Sequence, residues 1–495
     1  MKQPRKYPRA ALPLALLALV LSCSPAPAVE PLGRVPVVLV VFDALHAAHV
    51  GHLGYPRDTT PNLDRLAAEG VSFRNAFSPA PYTLASIPSL LTGRLPDHHG
   101  LTSQAAVLPD EETTLAELLA ERGYRSSAAV ASPNGGMTFG LHQGFDRFSE
   151  LFHLQPGEDP AHVDFAGREY RLPRAGDFVE YAKRAVAESR SEEYRDRGLF
   201  LYLHVLEPHS PYVQPEEFRN LWLDPTYDGP FASGETRPLV DCNREEDDEK
   251  RLEIDERDRQ AAIDLYDGNL RWADHNLGAL VEVLREAGLY DEALLIVTSD
   301  HGEAFWQHGR WGHNDHLYDE MLRVPLVIKL PAGRGGRGRI LDELVSIMDL
   351  VPSLCEWLDL PLPELPLDGR SLAALAEGQA DGGEQRADGA PERSLRLRSH
   401  HRIPHVGVRT PDSKTILHRH KKTGDTMRVE HFELNGDPAE EHDVWMEHRG
   451  TAGPVVRQLE RWIHDSTINR SRRQIPLTQM ERKMLDDLGY AEAAD

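Results

Sequence analysis

The segment Asp300-His-Gly-Glu303 brings a carboxylate and an imidazole together directly after the apolar run Leu294-Leu-Ile-Val-Thr298. A second carboxylate, Asp43, closes another apolar run, Val35-Pro-Val-Val-Leu-Val-Val-Phe42. Oxygen and nitrogen donors of this kind suit a divalent cation, Zn²⁺ or Mn²⁺ better than an all-oxygen Ca²⁺ cage, with Ca²⁺ or Mg²⁺ as the alternatives. Histidines gather in two further segments, His204-Val-Leu-Glu-Pro-His209-Ser-Pro-Tyr212 and His308-Gly-Arg-Trp-Gly-His313-Asn-Asp-His316. Imidazoles beside a metal can bind an anionic group or protonate a leaving oxygen. Taken alone, Asp-His-Gly-Glu is a common turn sequence, so the case depends on what carries these residues to one place.

Three apolar, β-branched runs do so: Val35 to Phe42, Leu294 to Thr298, and Leu199-Phe-Leu-Tyr-Leu-His204. Each reads as a buried parallel strand whose C-terminal end delivers polar residues. Ligands of open α/β sheets sit beyond those ends, so the three strands are expected to converge on one site. Helices are expected at Asn62 to Glu69, Leu115 to Arg122, Phe178 to Glu188 and Arg257 to Ala287. The last carries a stripe from Ile263 through Leu284 in steps of three and four, which is core patterning. The fold class is therefore α/β, a mainly parallel mixed sheet flanked by helices. Residues 376–395, rich in Gly, Ala and acid, read as a linker from a main domain (34–375) to a smaller C-terminal α/β subdomain (396–495). That subdomain is expected to hold strands at Val406 to Thr410 and Lys414 to His418, then two terminal helices.

A resemblance becomes specific at Gly54-Tyr-Pro-Arg-Asp-Thr-Thr-Pro-Asn-Leu-Asp-Arg-Leu66 and at Thr83-Leu-Ala-Ser-Ile-Pro-Ser-Leu-Leu-Thr-Gly-Arg94. With Asp349-Leu-Val-Pro-Ser353, Leu367-Asp-Gly-Arg-Ser371, Asn435-Gly-Asp-Pro438 and Leu488-Gly-Tyr490, it covers nearly the whole chain. The chain resembles the sulfatase-like branch of the alkaline phosphatase superfamily. Counting back from Arg94, the resemblance puts Thr83 on the nucleophile and Ser86 on the motif serine. It implies a single divalent metal held by Asp43, Asp300, His301 and the Thr83 oxygen, with His209 and His313 as catalytic contacts. His204, His316, Ser86 and Arg94 are the further substrate-side candidates. Ser86 is expected to cap a helix beginning near Ile87, and Arg94 to serve more often as an ion-pair partner than as a clamp.

The departures carry equal weight. A Thr cannot be converted to the formylglycine aldehyde that sulfatases make from Cys or Ser, Ile87 replaces the motif Arg, and Ala44, His46 and Ala48 replace polar family residues. The resemblance thus implies hydrolysis of a sulfate or phosphate ester. A phospho-group transferase or phosphodiesterase acting on envelope lipid or glycan, and a non-catalytic binding protein, are the rival readings.

Composition excludes other classes. Against 55 basic side chains stand 79 acidic ones, a formal net charge of -24 that repels nucleic acid. The expected partner is a small-molecule, glycan or lipid ester, with no protein partner implied. Lys2, Arg5, Lys6 and Arg9 precede an apolar run from Ala10 to Leu21 that is short for a bilayer span, a leader pattern. Val20-Leu21-Ser22-Cys23 resembles a lipobox, so residues 1–33 are expected to export the protein as a periplasmic or envelope lipoprotein, touching the membrane only through that lipid. Cys242 and Cys355 could make one bridge at most.

Overall fold

The computed structural model of the chain describes residues 29–153, 171–233, 253–314, 316–379, 393–399, 405–420, 423–465, 477–488 and 490. The leader with its lipobox, and most of the expected linker, lie outside the described residues. Among those described, no helix is long and apolar enough to cross a membrane.

The apolar runs become strands of one sheet. In chain order these are β1 (Val37–Asp43), β2 (Val71–Phe77), β3 (Tyr124–Val130), β4 (Arg147–Glu150), β5 (Gly198–Pro208), β6 (Leu294–Ser299), β7 (Arg323–Lys329) and β8 (Arg339–Ser346). Their spatial order is β8-β2-β7-β6-β1-β5-β3-β4. Only β7 runs antiparallel to its neighbours. All residues of β1, β5 and β6 are buried, as strands covered on both faces must be. Because β1 lies between β5 and β6, the ends of these three strands meet at one edge.

The covering helices include α1 (Pro61–Glu69), α2 (Thr83–Thr92), α3 (Ala175–Ser189), α4 (Glu256–Glu286) and α5 (Leu350–Leu358). The α4 helix begins at a capping box, in which the Asp258 N–H donates to Asp255 Oδ1 at 2.8 Å. Its Leu265, Leu270, Leu277, Leu280 and Leu284 are buried, so the stripe is core as its spacing requires.

The C-terminal part is an antiparallel sheet of β9 (Leu395–Arg398), β10 (Val406–Arg409), β11 (Ser413–Arg419) and β12 (Thr426–Glu433), in that order. Leu397, Ile416 and Phe432 pack on Phe77, Leu322 and Leu344 of the main body. Helices α6 (Trp445–Asp465) and α7 (Gln479–Asp487) follow. Met484 and Leu485 of α7 belong to the main core cluster and not to the smaller ones under the C-terminal sheet.

Candidate metal and nucleophile site

Asp43 is the last residue of β1, Asp300 and His301 directly follow β6, and His204 lies within β5 opposite Val41. The His204 Nε2 atom is 3.8 Å from Asp43 Oδ2 and 3.7 Å from Asp300 Oδ2. From His301, Nε2 lies 3.5 Å from Asp43 Oδ1 and 3.5 Å from Asp300 Oδ2. Thr83 Oγ1 is 3.3 Å from that same His301 nitrogen and 3.5 Å from Asp43 Oδ1. All five residues are fully buried.

These separations are long for hydrogen bonds. They match the spacing of roughly 3.4 Å between ligands that share one cation at 2.0–2.1 Å. Asp43 Oδ2, Asp300 Oδ2 and both ring nitrogens of His204 have no hydrogen-bond partner among the described residues. Buried carboxylates at this range need a compensating charge. Burial, together with Asp300 and Glu303, pushes the Asp43 carboxyl well above its usual range. Burial opposes ionisation of Asp300 too, but His301 and His204 hold it below the usual carboxylate range. Without a cation the pair therefore favours keeping one proton. The residues present fit a divalent metal, with Asp43, His204 and Asp300 forming a candidate ligand triad.

The surroundings orient these groups. His301 Nδ1 donates to the Gly302 carbonyl at 2.9 Å, which leaves the Nε2 lone pair facing inward, as a metal ligand requires. Asp300 Oδ1 accepts the N–H groups of His301 at 2.8 Å and Ala44 at 3.2 Å. Ala44 stands at φ 62, a left-handed conformation that costs an alanine about 1–2 kcal/mol and aims its N–H at Asp300. Thr83 opens α2, whose positive end favours an anionic group at its oxygen.

Beside the donors lie His209, which follows β5, and His313. His209 Nδ1 donates to the Ser210 carbonyl at 2.5 Å, while its Nε2 has no partner among the described residues. Burial and the neighbouring His313 push its pKa down to about 3, so it rests neutral. His313 Nδ1 is 3.0 Å from Glu303 Oε1, and its Nε2 is 3.0 Å from the Tyr490 hydroxyl. That hydroxyl is also 3.0 Å from Thr83 Oγ1.

A sulfatase family model matches residues 36–360, well over half the chain. The chain belongs to the sulfatase family. A model described as N-sulphoglucosamine sulphohydrolase, C-terminal, matches residues 307–468. An arylsulfatase of Clostridium perfringens is 23% identical over 384 residues, covering 69% of this chain and 78% of the relative. A structure solved with its substrate D-glucosamine-2-N,6-O-disulfate superposes with a TM-score of 0.68 at 18% identity, covering 89% of this chain and 100% of that one. The phosphonate monoester hydrolase of Agrobacterium radiobacter does so with a TM-score of 0.65 at 19% identity, covering 88% and 96%. Like the sulfatases it groups with, the chain is a hydrolase acting on ester bonds.

Of the residues singled out in the sequence, the structure brings Asp43, Thr83, Asp300, His301, His209 and His313 together at one place. Four substrate-side candidates fall elsewhere or change place. His204 sits between the two carboxylates, within the candidate ligand triad. Ser86 does not cap a helix at Ile87, because α2 already starts at Thr83 and the Ser86 hydroxyl donates to the Thr83 carbonyl at 3.3 Å within its first turn. Arg94 is an ion-pair partner, with Nε 3.1 Å from Glu112 Oε2. His316 packs against His405 and Tyr318 on the side of the C-terminal sheet. Two site residues carried no role in the sequence reading: Glu303, at the end of the Asp-His-Gly-Glu motif, and Tyr490, in the closing Leu-Gly-Tyr. Their signal was membership in quoted motifs, without a partner to name.

Proposed function

We propose that this sulfatase-family protein is an exported, metal-dependent hydrolase of sulfate or phosphate esters that uses Thr83 as its nucleophile. The observation that carries this reading is the placement of Thr83 Oγ1, at the head of α2, 3.3 Å from His301 Nε2 and 3.5 Å from Asp43 Oδ1, beside Asp43 Oδ2, Asp300 Oδ2 and His204 nitrogens that have no hydrogen-bond partner among the described residues.

Asp43, His204, Asp300 and His301 would hold a divalent ion, and the mixed oxygen and nitrogen set favours Zn²⁺ or Mn²⁺. When bound, such an ion lowers the pKa of a neighbouring hydroxyl and screens an anionic substrate. The chain's own residues do the rest. Thr83 releases its proton to solvent and attacks sulfur or phosphorus in line, while the bond from that atom to the ester oxygen breaks on the opposite side and the departing oxygen takes a proton from solvent. The N-terminus of α2 offers partial positive charge to the transferred group. His209, neutral with its Nε2 lone pair free, suits acceptance of a proton from the water that later releases Thr83. Its resting tautomer suits that role better than donation to the leaving oxygen.

The test is turnover by purified protein of aryl sulfate, phosphate monoester, phosphodiester and phosphonate, with added Zn²⁺, Mn²⁺ or Ca²⁺. Thr83→Ala is expected to lower kcat by at least about 10³-fold on any ester the wild type cleaves. Undiminished turnover in that variant would remove Thr83 from the mechanism. The same panel separates sulfate from phosphate, because a Thr nucleophile provides no aldehyde chemistry to favour sulfate.

A further inference from the structure

Tyr490 stands 407 residues beyond Thr83 in the chain, yet its hydroxyl lies 3.0 Å from Thr83 Oγ1 and 3.0 Å from His313 Nε2. Its ring stacks on His209, with centroids 5.6 Å apart at 25°. One side chain thus touches all three residues assigned to the chemistry. Neither the motif reading nor the proposed reaction gives it a task.

The phenol is built in. Thr478 and Glu481 form a capping box that starts α7: the Thr478 N–H donates to Glu481 Oε2 at 2.7 Å, and the Glu481 N–H donates to Thr478 Oγ1 at 3.2 Å. The Thr138 hydroxyl donates to Glu481 Oε1, joining the helix to the segment after β3. Met484, Leu485, Leu488 and Tyr490 itself are members of the main core cluster. The backbone of Tyr490 is held on both sides, its N–H donating to the Leu485 carbonyl at 2.7 Å and its carbonyl accepting from Gln104 Nε2 at 3.0 Å. A side chain that merely plugged the site would need to leave before each turnover. Withdrawing this one would strip core residues with it, so the contact is a fixed part of the centre.

We infer that Tyr490, delivered by the C-terminal helix, is a positioning residue of the catalytic centre whose hydroxyl fixes the Thr83 oxygen relative to His313. A threonine hydroxyl rotates freely about its C–O bond, and small errors in the direction of attack are costly. A phenol hydrogen-bonded to both groups sets that direction, while its ring forms the wall beside His209. The inference rests on Thr83 being the nucleophile.

The experiment compares full-length wild type, Tyr490→Phe and Thr83→Ala, all loaded with Mn²⁺ or Zn²⁺. It measures kcat and KM on the ester panel, Kd for orthovanadate, and thermal unfolding. The Phe variant keeps the ring and loses only the hydroxyl, so its Tm is expected to stay close to that of wild type. Its kcat is expected to fall about 100-fold with KM little changed. Orthovanadate, which engages the nucleophile, is expected to bind about tenfold more weakly. Wild-type kcat and vanadate affinity in Tyr490→Phe would leave the residue a packing role only. A raised kcat would make it a plug, and either result overturns the inference. If Thr83→Ala is inactive while Tyr490→Phe is normal, this inference alone falls. If wild type cleaves no ester, the proposed function fails and vanadate affinity still decides Tyr490. If wild type neither cleaves nor binds vanadate, both fall together.

Discussion

Two residues sharpen the chemistry beyond what their motifs convey. His204 was legible as one of a pair with His209, but which ring reaches the two carboxylates depends on side-chain direction. His204 Nε2 lies 3.8 Å from Asp43 Oδ2 and 3.7 Å from Asp300 Oδ2, whereas the His209 ring faces His313 and Tyr490. His204→Ala is expected to weaken metal binding at least about 10–100-fold, the loss typical of outer supports, which a direct ligand should match or exceed. Metal titration by calorimetry checks this, and unchanged affinity with a raised KM would return His204 to the substrate side. Glu303 offers a pH signature. Burial pushes its carboxyl up to about 7, against the pull of His209 and His301. Ionised Glu303 accepts the His313 Nδ1–H and fixes which nitrogen faces Tyr490, so kcat is expected to rise with pH as Glu303 ionises, earlier in the metal-loaded protein because a nearby cation favours the carboxylate. Glu303→Gln should flatten that limb and slow turnover about 10–100-fold at pH 8. A profile that keeps the limb in the Gln variant assigns it to another group.

Strands and helices were legible because burial imposes period, and the expected helix at Asn62 to Glu69 appears as Pro61–Glu69. Missed were contacts between elements, which no local pattern encodes. The start of α1 illustrates this: its N-cap Thr60 makes no side-chain cap, and a residue from another helix supplies it. Asp274 of α4 accepts the N–H groups of Asn62 at 2.9 Å and Leu63 at 2.8 Å, plus the Asn62 amide at 2.8 Å. It ties α1 to α4 across the sheet's face, next to the segment that runs on from Asp43. Asp274→Ala leaves those buried donors unpaired and is expected to cost about 1–3 kcal/mol in urea unfolding. A loss under about 0.5 kcal/mol would put this cap among ordinary surface changes. The same logic explains Ser86: the sequence suggested where a cap belonged, but the helix began four residues earlier than expected and absorbed it.

At the scale of the whole molecule, the C-terminal sheet docks on the main body beside Phe77, Leu322 and Leu344, and the joint has an electrostatic centre. Lys414 of β11, fully buried, lies 2.7 Å from Asp319 Oδ1 and 2.8 Å from Glu440 Oε1. Asp319 precedes β7 in the main body, and its N–H donates to Glu440 Oε2 at 2.7 Å. Composition could show that acid exceeds base, but not that one lysine would be spent on two acids from distant segments. Replacing it with Met removes the cation and leaves Glu440 buried without its partner, expected to cost about 3–5 kcal/mol. Burial already pushes the Glu440 carboxyl up to about 7 with Lys414 opposing, and without the lysine it rises further. A carboxyl whose folded pKa lies above its unfolded value of 4.5 binds more protons when folded. Its contribution is intact below 4.5 and is lost as pH rises through the folded value. The deficit of Lys414→Met should therefore be present near pH 5 through the lost partner of ionised Asp319, and grow toward pH 8 as Glu440 resists ionisation, as followed by denaturant unfolding at both. A pH-independent deficit would mean that lost packing, and not the stranded carboxylate, dominates.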